Sequence, residues 1–301
     1  MTYPIIDIRS ELLDFYEQLG TKSKFWYDNE KKLFKQGRPN TGENWAEVVA
    51  SRICDLLQLP HAHYDFAIFD KKTEGVVCET IVPDGGRLIH ANELLAKFIL
   101  DVYLQKKYQQ TEYTLRSVLA YFINQRSDLY PPINFNTTEK ICSALSVFIG
   151  YLLLDTLIAN QDRHHENWGI INKQNILYLA PTYDHASSLG RELSDEVCYE
   201  RLHTKDRHRT IGFYANKGCS AFRDHEHPYK RLSTLEAFKR SASKDIDAAK
   251  EWLQRLSVIN EDSLSEIYDI LNGLISEYSK QFSIKLVLEN KKRLLCSEGI
   301  L

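Results

Sequence analysis

The sequence predicts an α+β fold of two lobes, in which a small, β-rich N-terminal lobe precedes a larger helical C-terminal lobe. Three observations support this prediction. Residues 1–83 alternate short strand-like runs with one helix, residues 84–301 are mainly helical in pattern, and a strong turn signal separates the two parts. The chain has 301 residues, 43% of them hydrophobic and 26% charged, which is the composition of a folded globular protein. We expect the lobes to be residues 1–83 and 84–301.

The N-terminal lobe is predicted from alternating strand and helix signals. Residues 24–27 and 32–35 are strand-like runs on either side of a polar turn, which indicates a hairpin. Apolar residues recur at helical spacing from about residue 43 to residue 57. Two more strand-like runs follow, at residues 63–69 and 75–82. This order predicts a sheet that packs against one helix.

The C-terminal lobe begins after residues 83–86, Pro-Asp-Gly-Gly, which form the clearest break in the chain. Helical patterns cover about residues 92–107, 112–126 and 139–160. After a different segment at 161–191 the last hundred residues are again helical, with amphipathic stretches to about residue 256 and from about 263 to 295. Ser233 and Glu236 have the spacing of a capping box, which predicts a helix start there. Two short strands are expected at residues 169–172 and 176–179, joined by a tight turn.

Charge and hydropathy exclude several classes of protein. With 38 basic and 41 acidic residues the net charge is −3, which argues against binding nucleic acid through bulk charge. No apolar run reaches the length that spans a bilayer, and the N-terminus has no signal-peptide pattern. We expect a cytoplasmic protein, or one exported without a cleaved signal. The six cysteines include no closely spaced pair, so we expect reduced thiols.

The polar residues with the clearest chemistry lie at 160–169, Asn-Gln-Asp-Arg-His-His-Glu-Asn-Trp-Gly, directly after a very apolar predicted helix. The two short strands that follow return the chain beside this segment, and the second leads to Asp184. We therefore expect Asp184 to lie beside Asp162 and Asn167. Two carboxylates and an amide oxygen around one point suit Mg²⁺, which prefers hard oxygen ligands.

The spacing of these residues is typical of protein kinases. In kinases a catalytic-loop Asp orients the acceptor hydroxyl, and an Asn five positions later holds metal together with a more distant Asp. Asp162 and Asn167 have this spacing, although the order here is Asp-Arg-His where kinases usually have His-Arg-Asp. Lys35 ends a strand-like run where a kinase places its phosphate-contacting lysine, and Glu47 in the next helix is able to pair with it.

Two segments together resemble the signature of the HipA-like serine/threonine kinases, relatives of the phosphatidylinositol 3/4-kinase superfamily. The resemblance rests on Asn160-x-Asp162-x-His164-x-x-Asn167, followed by Leu-Ala-Pro-x-Tyr-Asp at residues 179–184. It extends more loosely from about residue 20 to residue 190 and includes Gly-Thr-Lys-Ser-Lys at 20–24, Leu-Phe-Lys at 33–35, Thr-Gly-Glu at 41–43 and His-Ala-Asn-Glu-Leu-Leu at 90–95. It implies a bilobal protein-kinase-like (HipA-like) fold with ATP between the lobes, in a compact, HipT-like member.

The resemblance also implies a role for each matching residue. Asp162 corresponds to the catalytic Asp, and Asn167 and Asp184 correspond to Mg²⁺ ligands. The other matches correspond to nucleotide contacts, namely the phosphate-loop residues Gly20, Thr21, Lys22, Ser23 and Lys24, the phosphate-contacting Lys35, the hinge residues Glu79, Thr80 and Ile81, and His164. The implied enzyme is a serine/threonine kinase that uses ATP and Mg²⁺.

Two features depart from the family pattern. Full-length members have an additional N-terminal subdomain, so the resemblance implies that a separate HipS/HipB-like antitoxin subunit supplies it here. Members often have a regulatory serine just before the loop glycine, where this chain has Glu-Gln-Leu at residues 17–19. Ser23 and Thr21 are either substitutes for that serine or, as we expect, ordinary loop hydroxyls. The implied substrate is a protein, with aminoacyl-tRNA synthetases and other translation factors as candidates. We expect neither a membrane span nor direct nucleic-acid binding.

Several alternatives stay open at the level of sequence. The same pocket suits a phosphoinositide acceptor, and a regulatory or toxin module that binds nucleotide without transfer would share the fold. Asp162, Asp184 and neighbouring histidines would also suit a metal-dependent phosphohydrolase.

Other features of the sequence have less specific readings. Residues 224–227, Asp-His-Glu-His, are expected to form a solvated loop rather than a zinc site. The basic run at 201–209 is a candidate surface for an acidic partner, and an exposed charged loop explains it equally well. Ser187 and Ser188 are either phosphosites or turn-forming hydroxyls. We expect the four tryptophans in the core.

Overall fold

A computed structural model describes residues 4–17, 23–103, 113–227, 229–271 and 273–297 of the chain. Within these ranges the chain forms two main β-sheets and a large set of helices. Strands come mainly from the first 90 residues and helices from the rest, as the sequence predicts.

The first sheet has six strands in the order β1-β5-β6-β4-β3-β2. Its neighbours pair antiparallel, except that β1 runs parallel to β5. Its strands are β1 (Ile6–Ile8), β2 (Leu13–Tyr16), β3 (Lys24–Tyr27), β4 (Lys32–Gln36), β5 (Tyr64–Phe69) and β6 (Thr73–Glu79). The predicted hairpin is confirmed as β3 and β4, in which Lys24 pairs with Lys35.

Helix α1 (Glu43–Leu57) packs against β5 and β6 of this sheet. Its apolar face is buried almost completely, including Trp45, Val49 and Ile53. The helix ends at Gln58, whose φ of 53° reverses the chain and whose amide donates to carbonyls of the last turn. The reversal directs residues 59–63 back toward β5.

The second sheet has the order β7-β9-β10-β8 and consists of β7 (Gly86–His90), β8 (Leu129–Tyr130), β9 (Gly169–Lys173) and β10 (Ile176–Leu179). Strands β9 and β10 form the predicted hairpin. Its turn residues Gln174 and Asn175 have φ of 53° and 64°, the left-handed pair that matches the twist of two-residue hairpins. Because β7 pairs with β9, His90 lies opposite Gly169, at the end of the polar segment 160–169.

The helical part is built around α4 (Ala144–Leu157), which is buried on nearly every side and contacts α7, α8 and α10. Ser143 begins it with a capping box that includes Ser146. A two-stranded ribbon lies beside α7. The remaining elements are α2 (Ala91–Tyr103), α3 (Leu115–Asn124), α5 (Asp195–His203), α6 (Ile211–Lys217), β11 (Cys219–Arg223), β12 (Arg231–Ser233), α7 (Thr234–Ala242), α8 (Ile246–Arg255), α9 (Glu261–Asp269) and α10 (Glu277–Leu295).

The main hydrophobic core continues from α1 through α4 to the C-terminal helices, so it joins the two parts of the chain. A separate small core lies under the outer strands of the first sheet and contains Ile8, Phe25, Tyr27, Phe34, Ala67 and Val77. The predicted boundary at residue 83 falls between β6 of the first sheet and β7 of the second. The division into lobes at that residue stays a prediction.

Some sequence expectations need correction. The periodicity predicts one amphipathic run over residues 263–295, but this stretch contains two helices, α9 and α10. Gly273, with φ of 85°, lies in the break between them, and Ser276 caps the second helix. Ser233 caps α7 by accepting a hydrogen bond from the amide of Glu236, as expected. Among the helices in the described ranges, none combines the length and apolar composition needed to cross a membrane.

Candidate active site

A cleft of about 430 Å³ lies between the first sheet and the polar segment that follows α4. One wall comes from β3, β4 and β6, the other from residues 162–167 and 183–187, and β7 closes one end. The predicted site residues that line it are Lys24, Lys35, Glu79, Thr80, Ile81, Asp162, His164, Asn167 and Asp184. The fold therefore brings together residues that are far apart in the sequence.

The predicted phosphate loop is described only in part. Gly20, Thr21 and Lys22 lie outside the described residues. Ser23 is exposed, and its carbonyl accepts a hydrogen bond from Gln36. Of this loop, Lys24 is the described residue that lines the cleft. The role of the whole loop stays a prediction.

Lys35 is the buried cation of the cleft. Its Nζ donates a 2.9 Å hydrogen bond to the Tyr64 hydroxyl and lies 3.6 Å from Asp184 Oδ1. Burial by itself lowers the pKa of Lys35, but the charges of Asp184 and Glu47 outweigh that effect and hold the pKa well above its usual value. Lys35 is therefore charged at any physiological pH and links β4, on one wall of the cleft, to Asp184 on the other wall.

Glu47 of α1 adds a buried carboxylate to the cluster formed by Lys35, Tyr64 and Asp184. The carboxylate is buried in α1, and its Oε1 accepts a 2.6 Å hydrogen bond from the amide of His185. Sequence reasoning expected Glu47 to pair with Lys35. The charge of Glu47 raises the pKa of Lys35, and Glu47 Oε1 accepts the hydrogen bond from His185, the residue after Asp184. In this way α1 positions both the lysine and the predicted metal ligand.

Asp184 has a left-handed backbone with φ of 61°, which aspartate tolerates better than most residues. The following side chain, His185, is fully buried, and its Nε2 lies 2.8 Å from the Thr182 hydroxyl. Burial and the charge of Arg163 place the pKa of His185 well below its usual value. A neutral, buried anchor therefore fixes the turn on which Asp184 stands.

The segment after α4 places Asp162 and Asn167 on the wall of the cleft that faces the first sheet. The side-chain Nδ2 of Asn167 donates a 2.7 Å hydrogen bond to the carbonyl of Asp162. That bond orients the amide and leaves Oδ1 of Asn167 as the atom suited to accept or to ligate. The carboxylate of Asp162 is half-exposed and lies 3.8 Å from His164 Nε2. The Asn167 side chain is therefore joined to the backbone of Asp162.

A buried ion pair holds this segment in place. Arg163 binds Asp155 of α4 through two hydrogen bonds of 2.9 and 2.7 Å, and both side chains are almost fully buried. The third nitrogen of Arg163 donates to the carbonyl of Asn167 at 2.9 Å. Asn160 also donates to Asp155. One guanidinium therefore ties the loop to the helix through charge-assisted hydrogen bonds.

The histidine predicted to contact nucleotide is positioned by its own loop. The amide of Glu166 donates to His164 Nδ1 at 3.1 Å, so Nδ1 is the acceptor and Nε2 carries the proton in the neutral ring. On the other side, His90 Nδ1 lies 2.9 Å from the Glu166 carbonyl and 3.0 Å from the Tyr183 hydroxyl. These bonds join the end of β7 to the floor of the cleft.

Polar residues at the other end of the cleft connect α1 to the segment after Asp184. Buried Glu43 accepts hydrogen bonds from Arg38 at 2.7 Å and from Arg191 at 2.8 Å. Ser187 donates to Asp162 Oδ2 at 3.4 Å, and Arg191 lies 3.5 Å from the same hydroxyl. Ser188 is buried and donates to the His185 carbonyl, as a turn-forming hydroxyl does.

The end of the cleft near Glu79, Thr80 and Ile81 is mainly apolar. The apolar side chains of Leu33, Ala62 and Leu88 and the ring of Tyr183 are among the residues that line the cleft. The Thr80 amide donates to the Lys31 carbonyl at 2.7 Å, which ties the segment after β6 to the turn before β4. A flat aromatic ring that fits between two apolar walls is the ligand shape that such a slot accepts.

Sequence reasoning missed several residues of this cleft. Tyr64, Arg38 and Tyr183 line it beside the predicted residues. Trp26, expected in the core, also lines the cleft and donates through Nε1 to Glu17 at 3.0 Å. Their place in the cleft depends on how distant parts of the chain pack together, although Tyr183 lies within the motif at residues 179–184.

The other polar segments of the sequence do not enter the cleft. Asp224 accepts hydrogen bonds from Arg240 and from the amide of Glu226, and the bond from Arg240 lowers its pKa to about 2. In the described part of the chain, residues 224–227 do not assemble into a metal-ligating group. The basic run at 201–209 covers the end of α5 and an exposed loop, where Arg209 pairs with Glu200.

A sequence comparison and a structure comparison both find that the chain is similar to the kinase CtkA. No protein-family profile matches the chain. The chain is 24% identical over 289 residues to the serine/threonine-protein kinase CtkA of Helicobacter pylori strain J99, which covers 92% of this chain and 81% of CtkA. The crystal structure of the Helicobacter pylori proinflammatory kinase CtkA matches with a TM-score of 0.72 at 22% identity, covering 98% of both chains.

A second solved structure is more distant. HipA of Shewanella oneidensis MR-1, solved with HipB and operator DNA, matches with a TM-score of 0.56 at 11% identity, covering 96% of this chain and 67% of HipA. The two structural matches confirm the expected bilobal, HipA-like α+β fold.

Proposed function

We propose that this chain, a phosphotransferase of the HipA-like serine/threonine kinase family, transfers the γ-phosphate of ATP to a serine or threonine hydroxyl of a protein with the help of Mg²⁺. The observation that carries the proposal is the convergence of Lys35, Asp184, Asn167 and Asp162 in one cleft. Each of these residue types has a known task in phosphoryl transfer.

The donor set supports a magnesium site. Asp184 and Asn167 offer a carboxylate and an amide oxygen on the same cleft, which are the hard ligands that Mg²⁺ takes alongside phosphates and water. The hydrogen bond from Asn167 Nδ2 to Asp162 turns the amide so that its oxygen is the ligand atom. Bound Mg²⁺ would supply positive charge against the phosphate oxygens.

The mechanism then depends on positioning by this chain's own residues. Lys35, held charged by Asp184, neutralises phosphate charge from the roof. Asp162 orients the acceptor hydroxyl and accepts its proton, and the Arg163 anchor fixes the backbone of that loop. The slot between Leu33, Ala62 and Leu88 takes the adenine ring. Lys24 and His164 are further nucleotide contacts on this proposal.

The acceptor and the partner are further proposals. The structurally similar HipA belongs to a toxin–antitoxin system and was solved together with HipB and operator DNA, which supports a separate antitoxin subunit for this chain as well. An aminoacyl-tRNA synthetase or other translation factor as substrate stays a prediction from the family resemblance, as does a cytoplasmic location. A phosphoinositide acceptor is the alternative, and analysis of labelled lipid separates it from a protein acceptor.

The test is phosphate transfer by matched variants. Wild type, Asp162→Asn and Asp128→Asn are incubated with γ-labelled ATP, Mg²⁺ and cell lysate, and protein and lipid fractions are analysed by mass spectrometry. Asp162 is half-exposed, so the Asn variant should fold, and Asp128, an exposed carboxylate that is not among the residues lining the cleft, serves as the control. We expect labelled serine or threonine with wild type and Asp128→Asn, and a loss of at least about 10²-fold with Asp162→Asn. Equal labelling by all three would refute the role of Asp162, and label in lipid alone would refute a protein acceptor.

A further inference from the structure

A second group of metal-ligating side chains lies outside the cleft, where α1 leads into β5. Asp55 is in the last turn of α1, and His61 and His63 are in the link to β5. One ligand atom from each lies within 4.8 Å of the other two. The geometry points to a site for a divalent transition metal of the zinc type, formed by Asp55, His61 and His63. This inference does not depend on the proposed kinase reaction.

His61 is already arranged as a metal ligand. Its Nδ1 lies 2.8 Å from the Leu59 carbonyl, which can only accept, so Nδ1 carries the proton and Nε2 has the lone pair. The side chain is only 9% exposed, and within the described residues its buried Nε2 has no hydrogen-bond partner. A buried polar atom without a partner is costly in a folded protein, and a metal ion would satisfy it.

The spacing to the carboxylate fits a tetrahedral ion. His61 Nε2 lies 3.5 Å from Asp55 Oδ1. Two ligands at about 2.0–2.1 Å from a tetrahedral zinc are about 3.4 Å apart. His63 Nδ1 lies 3.9 Å from the second oxygen of Asp55. A small rotation of the exposed His63 ring is therefore enough to close the ligand set.

The chemistry of the donors selects the class of metal. Two imidazole nitrogens and one carboxylate suit Zn²⁺ and similar ions, with water in the remaining position. Mg²⁺ prefers oxygen ligands, so the cleft and this link would bind different ions. His63 and Asp55 are each about half-exposed, which gives the ion access from solvent.

Arg52 competes with the metal for the same side chains. Its guanidinium donates to Asp65 at 2.5 Å, contacts the His63 ring, and lies 3.8 Å from Asp55. Metal binding would turn His63 from Arg52 toward the ion, while Asp65 keeps the guanidinium in place. Removal of the Arg52 charge should therefore strengthen metal binding, because a positive charge beside a cation site opposes binding.

The site is connected to the wall of the cleft. His61 forms a β-bridge with Thr182, and the Ala62 amide donates to the Thr182 carbonyl at 2.8 Å. In return, the Thr182 amide donates to the Pro60 carbonyl at 2.9 Å. Thr182 is two residues before Asp184. A metal that fixes residues 59–63 would therefore stabilise the connection between α1 and the segment that carries Asp184.

The test measures metal binding directly. The full chain is stripped with a chelator and titrated with Co²⁺, whose visible absorption reports tetrahedral coordination, and then with Zn²⁺ in competition. We expect one ion per chain by elemental analysis, a tetrahedral Co²⁺ spectrum, and a rise in the unfolding temperature with Zn²⁺.

The matched control is another His-x-His pair. His63→Gln changes an exposed side chain, so folding should be unaffected, and Zn²⁺ affinity should fall by more than about tenfold. The double variant His225→Gln/His227→Gln, at exposed positions, should bind as wild type does, and Arg52→Gln should bind more tightly. Absence of a bound ion in wild type would overturn the inference, and so would equal losses in His63→Gln and the control.

Discussion

The two walls of the cleft are held in place by different interactions. The floor, residues 160–168, rests on the buried ion pair between Arg163 and Asp155. The roof, strands β3 and β4, rests on a small separate core that is rich in aromatic rings. In that core the rings of Phe25 and Phe34 stack with centroids 4.9 Å apart, and Phe69 packs against both.

The two kinds of interaction differ in how strictly they fix the geometry of each wall. A buried ion pair specifies one arrangement of its hydrogen bonds, because any other arrangement leaves a charge unpaired in the interior. A small apolar cluster has no such directional requirement and gives lower local stability. The floor that carries Asp162 and Asn167 is therefore held by directional, charged hydrogen bonds, and the roof by apolar packing.

Loss of the floor's ion pair should have the largest effect. Arg163→Met leaves the Asp155 carboxylate buried without its partner, and the free energy of unfolding should fall by about 3–5 kcal/mol. Urea unfolding of this variant and of Arg126→Met, an exposed control, measures the difference. The double variant Arg163→Met/Asp155→Leu should be less destabilised than Arg163→Met alone. A single variant as stable as wild type would show that the pair does not anchor the floor.

Replacement of Lys35, the buried cation of β4, should act mainly on activity. In Lys35→Met the cleft loses its buried positive charge, and kcat/KM for ATP should fall on the order of 10²–10³-fold. Because Asp184 is partly exposed to water, whereas both partners of the Arg163–Asp155 pair are buried, the loss of unfolding free energy should be smaller than in Arg163→Met.

Lys32→Met is the matched control for Lys35→Met. Lys32 is on the same strand and pairs with Asp28 outside the cleft. It should keep full activity in a steady-state ATP titration. Equal losses in the two variants would mean that the strand, and not the Lys35 charge, is responsible.

Most of the predicted residues of the cleft could be found in the sequence because they are polar residues that interrupt apolar patterns. Asp162 and Asn167 follow a helix that is buried throughout, and Asp184 follows a hairpin whose return is a local property of the chain. Local signals also predicted β3, β4 and α1 with nearly correct bounds. The roles of these residues stay predictions, since geometry shows only that they meet.

Features that depend on distant pairing could not be predicted. Strand β7 follows directly after the turn signal at residues 83–86, yet its partner β9 is some eighty positions further along the chain. The contacts of Lys35 with Tyr64 and of His90 with Tyr183 likewise depend on which strands become neighbours. A residue pattern encodes the face of a strand, and the choice of neighbour is decided by packing of the whole sheet.

The stability of the folded chain should fall at acid pH because of His185, which lies next to Asp184 in the cleft wall. Because burial holds the pKa of His185 well below its usual value, the unfolded chain binds a proton that the folded chain does not. Stability from this group is complete above the usual imidazole pKa of about 6.5 and is lost as the pH falls below it.

Replacement of that imidazole should make unfolding less dependent on pH. The nearby Glu47 carboxylate lies 3.7 Å from His185 Nδ1, and the ring stays neutral despite it. The difference in urea midpoint between pH 7.5 and pH 5.0 should be smaller in His185→Gln than in wild type. The exposed His208→Gln should show the wild-type difference. An unchanged difference in His185→Gln would argue that other groups account for the acid sensitivity.

The smallest effect is expected where the floor meets the segment after Asp184. Ser187 donates a long hydrogen bond of 3.4 Å to Asp162, on a carboxylate that is half-exposed. Such a bond is worth about 1 kcal/mol, so Ser187→Ala should lower kcat about fivefold and leave KM for ATP unchanged. Ser188→Ala removes a hydroxyl that bonds only the His185 carbonyl among its described contacts, and it should lower stability without a change in kcat. If Ser187→Ala lost as much activity as Asp162→Asn, Ser187 would have to act on the substrate itself and not through Asp162.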